Sequence, residues 1–201
     1  MGDDLATINS VLGGDYDAFE HLVEKYEGRV YRHLRKMVNN NDVAEDLLQE
    51  TFLSAYKGLK GFAGSSSFST WLFRIATNAA LMYLRKNRPE VVEYDDQIQT
   101  KGDGAIAATS PAFVGTPFDI LLSAEGRKKI EDAIDNLPVL YRSTIVLRDV
   151  EGFSLEEVAR IMNTSVSAVK SRLHRARHAV RETLAAYYSE RRASAGRRAS
   201  K

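Results

Sequence analysis

The sequence predicts an all-α protein made of two small helical domains joined by a flexible acidic linker. Apolar residues recur at three- and four-residue spacing in both halves, and no segment alternates polar and apolar residues as a strand would. The region between the halves has no sustained period and contains Pro89, Pro111 and Pro117, three of the four prolines. A patternless stretch of about 35 residues is too long for a connection inside one compact domain, which favours two domains.

The distribution of charge supports the same division. The segment 89–119 carries six Asp or Glu residues and one Lys, whereas 170–201 carries ten Lys or Arg residues and two Glu. A basic C-terminal third attracts phosphates and an acidic middle repels them. We therefore predict the following regions: an N-terminal domain at 1–88, a linker at 89–124, a C-terminal helix-turn-helix domain at 125–188 and a basic disordered tail at 189–201.

Polar residues mark the helix ends in the N-terminal half. Asp15 follows a Gly-Gly break and suits the start of the first predicted helix, the Asn run at 39–41 ends it, and Asp42 suits the N-cap of the next. The predicted helices cover about 19–38, 43–53 and 69–86, with a Gly/Ser loop at 61–67.

The C-terminal half contains the pattern of a helix-turn-helix. A short helix ends before Pro138, which suits the first turn of a second helix that runs to about residue 152. Ser154 and Glu157 match the capping box S-x-x-E at the start of a third helix. Asn163 tolerates a left-handed backbone, and Ser165 can cap a fourth helix after a turn of three or four residues.

The helix after Ser165 is predicted to pack on one side and to face nucleic acid on the other. At 100° per residue, its packing side contains Val169, Leu173, Ala176 and Val180. Its polar side contains Ser167, Lys170, Ser171, His174, Arg175 and His178, groups that can bond to base edges in a major groove. Arg172 and Arg177 flank that side, where phosphate contacts are expected. The alternative is a solvated basic helix packed on a neighbour.

The helix at 69–86 has a second basic side. Its packing side contains Leu72, Ile75, Ala76, Ala79 and Tyr83, and the opposite side contains Arg74, Thr77, Asn78, Arg85 and Arg88. Phe62, Ser66, Phe68 and Trp71 belong to the polar loop before this helix or to its first turn, where rings could stack on an unstacked base. The alternative is that Phe68 and Trp71 are core anchors.

Several kinds of site are disfavoured. The chain has no cysteine, which excludes thiolate metal sites and thiol nucleophiles. His174 and His178 lack an evident third metal ligand, and the S-x-x-K match at 167–170 lacks its companion motifs. We expect no catalytic residue, metal or cofactor. A signal pattern and a membrane span are not apparent, so we expect a cytoplasmic protein.

Three stretches in order resemble the extracytoplasmic-function (ECF) group of RNA polymerase sigma factors. They are DVAEDLLQETF at 42–52, FSTWL at 68–72 followed by IATN at 75–78 and LR at 84–85, and VKSRLHRAR at 169–177. The resemblance implies a non-enzymatic protein whose partners are core RNA polymerase, promoter DNA and an anti-sigma factor. It also implies that the acidic linker threads the polymerase cleft.

The resemblance assigns residues to three surfaces. Core-polymerase contacts are expected from Asp46, Gln49, Glu50 and Phe52. Contacts to the minus-10 element are expected from Phe62, Ser66, Phe68, Trp71, Arg74, Asn78, Arg85 and Arg88. Contacts to the minus-35 element are expected from Ser167, Lys170, Ser171, Arg172, His174, Arg175 and Arg177.

The chain departs from the usual family pattern at three places. Met82 stands where Asp is common, Asn163 replaces a Gly, and Ser167-Ala168 replaces Gly-Thr. The tail repeats Arg-Arg-Ala-Ser at 191–194 and 197–200, a motif that basophilic kinases modify, although a disordered basic tail is the favoured interpretation.

Two other functions fit part of the sequence. A stand-alone helix-turn-helix regulator would use the C-terminal half but leave the linker and the 42–53 helix without a role. A DNA recombinase would need a catalytic domain with strands, and the first half shows no strand pattern.

Overall fold

The computed structural model describes residues 2–87 and 124–199, and every regular element in these residues is helical. The predicted all-α fold class is therefore confirmed. The predicted linker and Arg88 lie outside the described residues, apart from the last linker position, which begins a helix.

Four helices form each half. The N-terminal unit contains α1 (Gly2–Leu12), α2 (Ala18–Val38), α3 (Asn41–Gly58), a 3₁₀ turn at Leu59–Gly61, and α4 (Phe68–Asn87). The C-terminal unit contains α5 (Ala124–Asp135), α6 (Val139–Ile145) with a wider π turn at Val146–Val150, α7 (Leu155–Ile161) and α8 (Val166–Ala199).

In the N-terminal unit, α2, α3 and α4 pack on one another around a continuous apolar core. Leu22, Leu34, Leu72 and Phe73 are fully buried, as the three- and four-residue spacing of apolar residues predicts. Helix α1 adds a layer against α2 that the sequence analysis did not predict. Ile8 and Val11 are buried, and the carboxylate of Asp4 accepts bonds from Lys25 Nζ at 2.6 Å and Tyr26 OH at 2.7 Å.

The predicted helix ends are close to the observed ones, but one N-cap differs. Asn39 adopts a left-handed backbone with φ 52° and ends α2. Asn40, not Asp42, caps α3, because its Oδ1 accepts the Val43 amide at 3.0 Å. Asp42 lies in the first turn instead, where a negative charge favours the helix dipole.

The capped turns predicted in the C-terminal unit are confirmed. Ser154 and Glu157 form the reciprocal capping box of α7. Asn163 has φ 48°, and Ser165 Oγ accepts the Ala168 amide at 3.1 Å at the start of α8. Helices α7 and α8 therefore form the predicted helix-turn-helix.

The tail differs from the predicted disordered segment. Helix α8 continues through residues 189–199 in the structure. Arginine and alanine make up seven of the eleven residues in this stretch and proline is absent, so local helix propensity favours extension of a helix already nucleated by packing.

The two units are in contact. One cluster of buried apolar residues joins Phe73 of α4 to Leu140, Val158 and Ile161 of the C-terminal unit. The helix-turn-helix therefore packs against the N-terminal unit in this structure.

A buried histidine links α2 to α4. The His33 ring is fully buried, with Nε2 2.9 Å from Thr77 Oγ1 and its centroid 5.5 Å from that of Phe73. Burial disfavours the charged imidazolium and lowers the pKa of His33 from 6.5 to about 4. His33 is therefore neutral in the folded protein near pH 7.

We predict that this histidine makes folding stability depend on pH. The unfolded chain takes up the proton near pH 6.5, whereas the folded chain resists it until about pH 4, so the stabilisation is full above pH 6.5 and is lost as pH falls towards 4. From pH 7 to pH 5 the free energy of unfolding should fall by about 2 kcal/mol, at about 1.4 kcal/mol per unit.

Urea unfolding at both pH values measures this difference. His33→Leu should flatten the dependence, whereas replacement of the exposed His21 by Ala should retain it. An unchanged slope in His33→Leu would show that another group is responsible.

Candidate nucleic-acid interface

Helix α8 exposes a polar face and buries an apolar one, as the sequence analysis predicts. Val169, Leu173 and Ala176 are buried against α6 and α7. The exposed positions Ser167, Lys170, Ser171 and His174 form what we name the α8 face. They provide hydroxyl, ammonium and imidazole groups, which can donate to base edges or to phosphates.

The three arginines of this region are placed differently from one another. Arg172 is only 7% exposed, between the exposed and the packed positions of α8, and this burial does not fit the expected phosphate contact. Arg175 is half-buried, and its Nη1 donates to Tyr141 OH at 3.3 Å. Arg177 is exposed, and Nε and Nη2 bind the two oxygens of Asp149 at 2.9 and 2.6 Å.

The pairing of Arg177 has an electrostatic consequence. Its hydrogen bond to the Asp149 carboxylate raises the pKa of Arg177 further above its ordinary value. A phosphate would therefore have to displace Asp149 or bind to the remaining donors of the guanidinium. Lys170 is exposed at the centre of the α8 face and needs no such displacement of Asp149.

Helix α4 exposes a second strip of polar and basic side chains. At 100° per residue, Arg74, Asn78, Met82 and Arg85 fall within one quarter of its circumference, and all four are exposed. We name these residues the α4 strip. Thr77 was predicted on the same side, but it is buried and bonded to His33, since α2 covers that part of α4.

Met82 is the unexpected member of the α4 strip. It is 69% exposed, although burial of a large apolar side chain usually stabilises the folded state. The resemblance noted from the sequence favours Asp at this position. Its thioether adds an adaptable apolar contact between Asn78 and Arg85 without adding charge.

Aromatic rings frame the loop before α4. The ring centroids of Phe62 and Trp71 are 5.2 Å apart, and those of Phe68 and Trp71 are 5.8 Å apart. Phe68 is buried, which supports its alternative role as a core anchor, whereas Phe62 and Trp71 remain half-buried. The loop is therefore bounded by two partly accessible rings.

Serine side chains shape the same loop. Ser67 Oγ accepts the Thr70 amide at 3.1 Å and so caps α4. Half-buried Ser66 donates to the Ser67 carbonyl at 3.3 Å. Gly64 has φ +66°, a conformation that favours glycine and turns the loop.

Helix α3 presents the third predicted surface. Asp46, Gln49 and Glu50 are exposed along one side of the helix. Phe52 does not belong to this side: it is 8% exposed and its ring meets Phe19 edge-on, with 6.5 Å between centroids. The expected polymerase contact from Phe52 is therefore not supported by its position.

Apolar residues that were not predicted from the sequence lie next to this acidic side. Leu53 is 58% exposed, and exposed Tyr56 meets exposed Tyr16 edge-on. Leu53 follows Asp46 and Gln49 at seven and four residues, so helical spacing could have revealed it. We name Asp46, Gln49, Glu50 and Leu53 the α3 surface.

The part of the chain that the structure describes contains no group of three or more His, Cys, Asp or Glu residues that could hold a metal ion. His178 Nδ1 lies 3.4 Å from Glu182, four residues further along α8. No helix among the described residues is long and apolar enough to cross a membrane.

Comparison with known families matches both halves of the chain. Residues 22–90 match the family Sigma-70 region 2, and residues 127–180 match Sigma-70, region 4. The first match covers most of α2 and all of α3 and α4, and the second covers most of α5 through the first part of α8. The α3 surface, the α4 strip and the α8 face therefore all lie inside matched segments.

Curated relatives match over most of their length. The ECF RNA polymerase sigma-E factor of Haemophilus influenzae is 37% identical over 179 residues, which are 88% of this chain and 93% of the relative. The ECF RNA polymerase sigma factor SigW of Bacillus subtilis is 37% identical over 178 residues, with 88% and 94% covered. The sigma-E factor of Escherichia coli K12 is 37% identical over 181 residues, with 88% and 92% covered.

Solved structures show the same fold. The sigma factor RpoE of Bartonella quintana, in complex with the anti-sigma factor NepR, has a TM-score of 0.60 and 27% identity and covers 83% of this chain and 96% of its own. CnrH, in complex with the cytosolic domain of CnrY, has a TM-score of 0.61 and 24% identity, with 90% and 96% covered. With sequence identity to curated relatives across both halves, these matches place the chain in the family of ECF RNA polymerase sigma factors.

Proposed function

We propose that this chain binds core RNA polymerase, recognises the minus-35 and minus-10 elements of promoters and promotes DNA melting, with no catalysis of its own. The observation that carries the proposal is that one chain exposes three separate surfaces: the α3 surface, the α4 strip and the α8 face. A stand-alone helix-turn-helix regulator would need only the α8 face. The chain would act where core polymerase acts, in the cytoplasm.

The α8 face suits duplex DNA. It lies on the second helix of a helix-turn-helix, the element that enters a major groove in proteins with this motif. The groups on Ser167, Lys170, Ser171 and His174 are oriented away from the packed side of α8. Arg175 can join them if it exchanges Tyr141 OH for a base edge. We assign this face to the minus-35 element.

The α4 strip and the adjoining loop suit a strand with unstacked bases. Phe62 and Trp71 offer partly exposed rings, and Ser66 supplies a hydroxyl at the loop. Arg74 and Arg85 can contact the backbone, and Asn78 lies between them on the strip with an amide that can pair with a base edge. We assign this region to the minus-10 element as the duplex opens.

The α3 surface combines carboxylates, an amide and an exposed leucine. Such a surface fits a partner that has basic side chains around an apolar contact, and we assign that partner to core RNA polymerase. An anti-sigma factor is a further proposed partner, because a structurally similar sigma factor is known in complex with one.

Reconstituted transcription tests the proposal as a whole. Transcript start sites are first mapped in cells that overexpress this chain, and DNA upstream of those sites is used as the template. Core RNA polymerase supplemented with this chain should start transcription on these templates. If the chain binds those templates alone and leaves start selection unchanged, it is a stand-alone regulator.

We predict that Leu53→Asp weakens binding to core RNA polymerase about tenfold, which corresponds to about 1.4 kcal/mol. The substitution places a charge where an apolar contact is proposed, and Leu53 is exposed, so folding should be retained. Titration with labelled chain measures the dissociation constant. Leu5→Asp, at an exposed leucine of α1, is the matched control and should bind normally.

We predict that Lys170→Ala weakens binding of the minus-35 duplex by about 1 to 3 kcal/mol if the ammonium contacts a base, with relaxed preference at one base pair. If the ammonium contacts phosphate alone, the substitution should weaken binding to all DNA sequences equally. It should also reduce the slope of log affinity against log salt concentration by about one. Fluorescence anisotropy at several salt concentrations distinguishes the two contacts.

Lys128→Ala is the control for Lys170→Ala, because it removes the same charge from an exposed position on α5. Equal binding by the two variants would contradict the assignment of the α8 face.

We predict that Asn78→Ala spares binding of the closed promoter complex but slows melting, because the side chain is proposed to hold an unpaired base. Shortening the 61–67 loop should have the same effect. Permanganate footprinting of unpaired thymines follows melting directly.

Asn87→Ala is the matched control for this variant, since Asn87 lies on the opposite side of α4 and is also exposed. Normal melting in the Asn78 variant would reject the base-capture assignment.

A further inference from the structure

Asp149, on the π turn that follows α6, binds an arginine of α8 with both of its carboxylate oxygens. Oδ2 accepts a hydrogen bond from Arg177 Nε at 2.9 Å, and Oδ1 accepts one from Nη2 at 2.6 Å. Two parallel bonds of this kind fix the orientation of a guanidinium as well as its position. The side chains of Arg177 and Asp149 are 50% and 34% exposed, so the pair lies where a DNA phosphate can approach it.

The packing of α8 on α6 does not depend on this ion pair. Leu173 and Ala176 of α8 are buried with Tyr141 and Ile145 of α6 in one apolar cluster. An exposed ion pair adds little to folding stability by comparison, because water screens the attraction and two side chains lose conformational freedom. The main effect of the pair is therefore on what the arginine can bind.

Arg177 lies on the same edge of α8 as Lys170, and both are exposed. The two are seven residues apart, so they differ by about 20° around the helix and by about 10 Å along it. The first residues of a recognition helix reach base edges. Arg177 is the twelfth residue of α8, so its natural partner on DNA is the phosphate backbone, where contacts carry no sequence information.

An unpaired guanidinium at this edge would strengthen binding to every DNA sequence. Each phosphate contact releases counterions and steepens the dependence of log affinity on log salt concentration by about 0.9 for duplex DNA. The segment 170–201 already carries ten Lys or Arg residues against two Glu. A further cation in contact with phosphate would add affinity without adding discrimination between sequences.

The carboxylate of Asp149 opposes such a contact in two ways. A phosphate that binds Nε and Nη2 of Arg177 must first break both hydrogen bonds to Asp149. A phosphate that uses the remaining donors of the guanidinium lies within a few Å of the carboxylate, and the two negative charges repel each other. Asp149 thus occupies the position that a phosphate would otherwise take.

We propose that Asp149 is a specificity-determining residue of the helix-turn-helix: it withholds Arg177 from DNA phosphates and so limits the part of the affinity that is independent of sequence. Recognition then depends more strongly on the groups of the α8 face that can contact base edges. The inference rests on the proposed assignment of the α8 face to DNA.

Salt-dependent DNA binding by the full-length chain tests this role. Asp149→Asn removes the charge and keeps the shape of the side chain, and the residue is exposed, so folding should be retained. At low salt, fluorescence anisotropy should show about fivefold tighter binding to an unrelated duplex, with a salt slope steeper by about 0.9. The same gain is expected with the minus-35 duplex, because a phosphate contact is independent of sequence.

A double-mutant cycle separates the release of Arg177 from a general change of charge. In the Asp149→Asn background, Arg177→Ala should weaken binding about fivefold and restore the parent salt slope. In the parent chain the same substitution should weaken binding less than about twofold. Asp132→Asn removes a carboxylate from an exposed position on α5 and should leave the salt slope unchanged.

Three results would overturn the inference. The first is a salt slope in Asp149→Asn equal to that of the parent chain. The second is weaker binding by Asp149→Asn, which would mean that the carboxylate positions Arg177 for a phosphate. The third is an equal effect of Arg177→Ala in both backgrounds, which would mean that Arg177 contacts phosphate despite its pairing.

Failure of the proposed function gives a different result. A chain that binds the minus-35 duplex no better than the unrelated duplex would contradict the assignment of the α8 face. The cycle on the unrelated duplex would still decide whether Asp149 withholds Arg177 from phosphates.

Discussion

Helix α4 must pack on two sides and still leave a third side exposed, and the other features of the molecule depend on this constraint. Leu72 and Ala76 are buried in the continuous core, and Phe73 extends that core to the C-terminal unit. Before the last turn of α4, the exposed positions Arg74, Asn78, Met82 and Arg85 occupy only about a quarter of the circumference. The width of the proposed minus-10 surface is therefore set by packing on both flanks.

Thr77 and His33 show how a polar side chain is accommodated on a packed side of α4. A threonine on a buried side of α4 needs a hydrogen-bonding partner, and the neutral imidazole of His33 supplies one at 2.9 Å. The cost of charging this imidazole in the core keeps it neutral. The α4 strip is thus held in orientation by a buried polar contact on α2 as well as by apolar packing.

The sequence was sufficient to predict the features that depend on local chemistry. The capping box at Ser154, the left-handed Asn163 and the cap at Ser165 each require only a few neighbouring residues, and all three are observed. The apolar and polar sides of α8 follow from spacing within one helix. Motif resemblance supplied the family, which composition with a net charge of +1 could not have indicated.

Burial could not be foreseen from the sequence where another element decides it. Phe52 is buried with its ring edge-on to Phe19, and Thr77 is buried and bonded to His33 of α2. Arg172 lies on α8 between exposed and packed positions, and helical angle alone does not decide which environment it enters. Helix α1 was missed although Leu5, Ile8 and Leu12 recur at three- and four-residue spacing. A helix of 11 residues is marginal by itself and gains stability by docking on α2.

The same distinction explains why contact between the two units could not be predicted from sequence. From the sequence, Phe153 is expected in the core and Glu151 on the surface. Only the structure shows that both contact Arg29 of the other unit. A buried ion pair is weak evidence for stability, because desolvation offsets most of the attraction, but it is selective for the one arrangement that satisfies both charges.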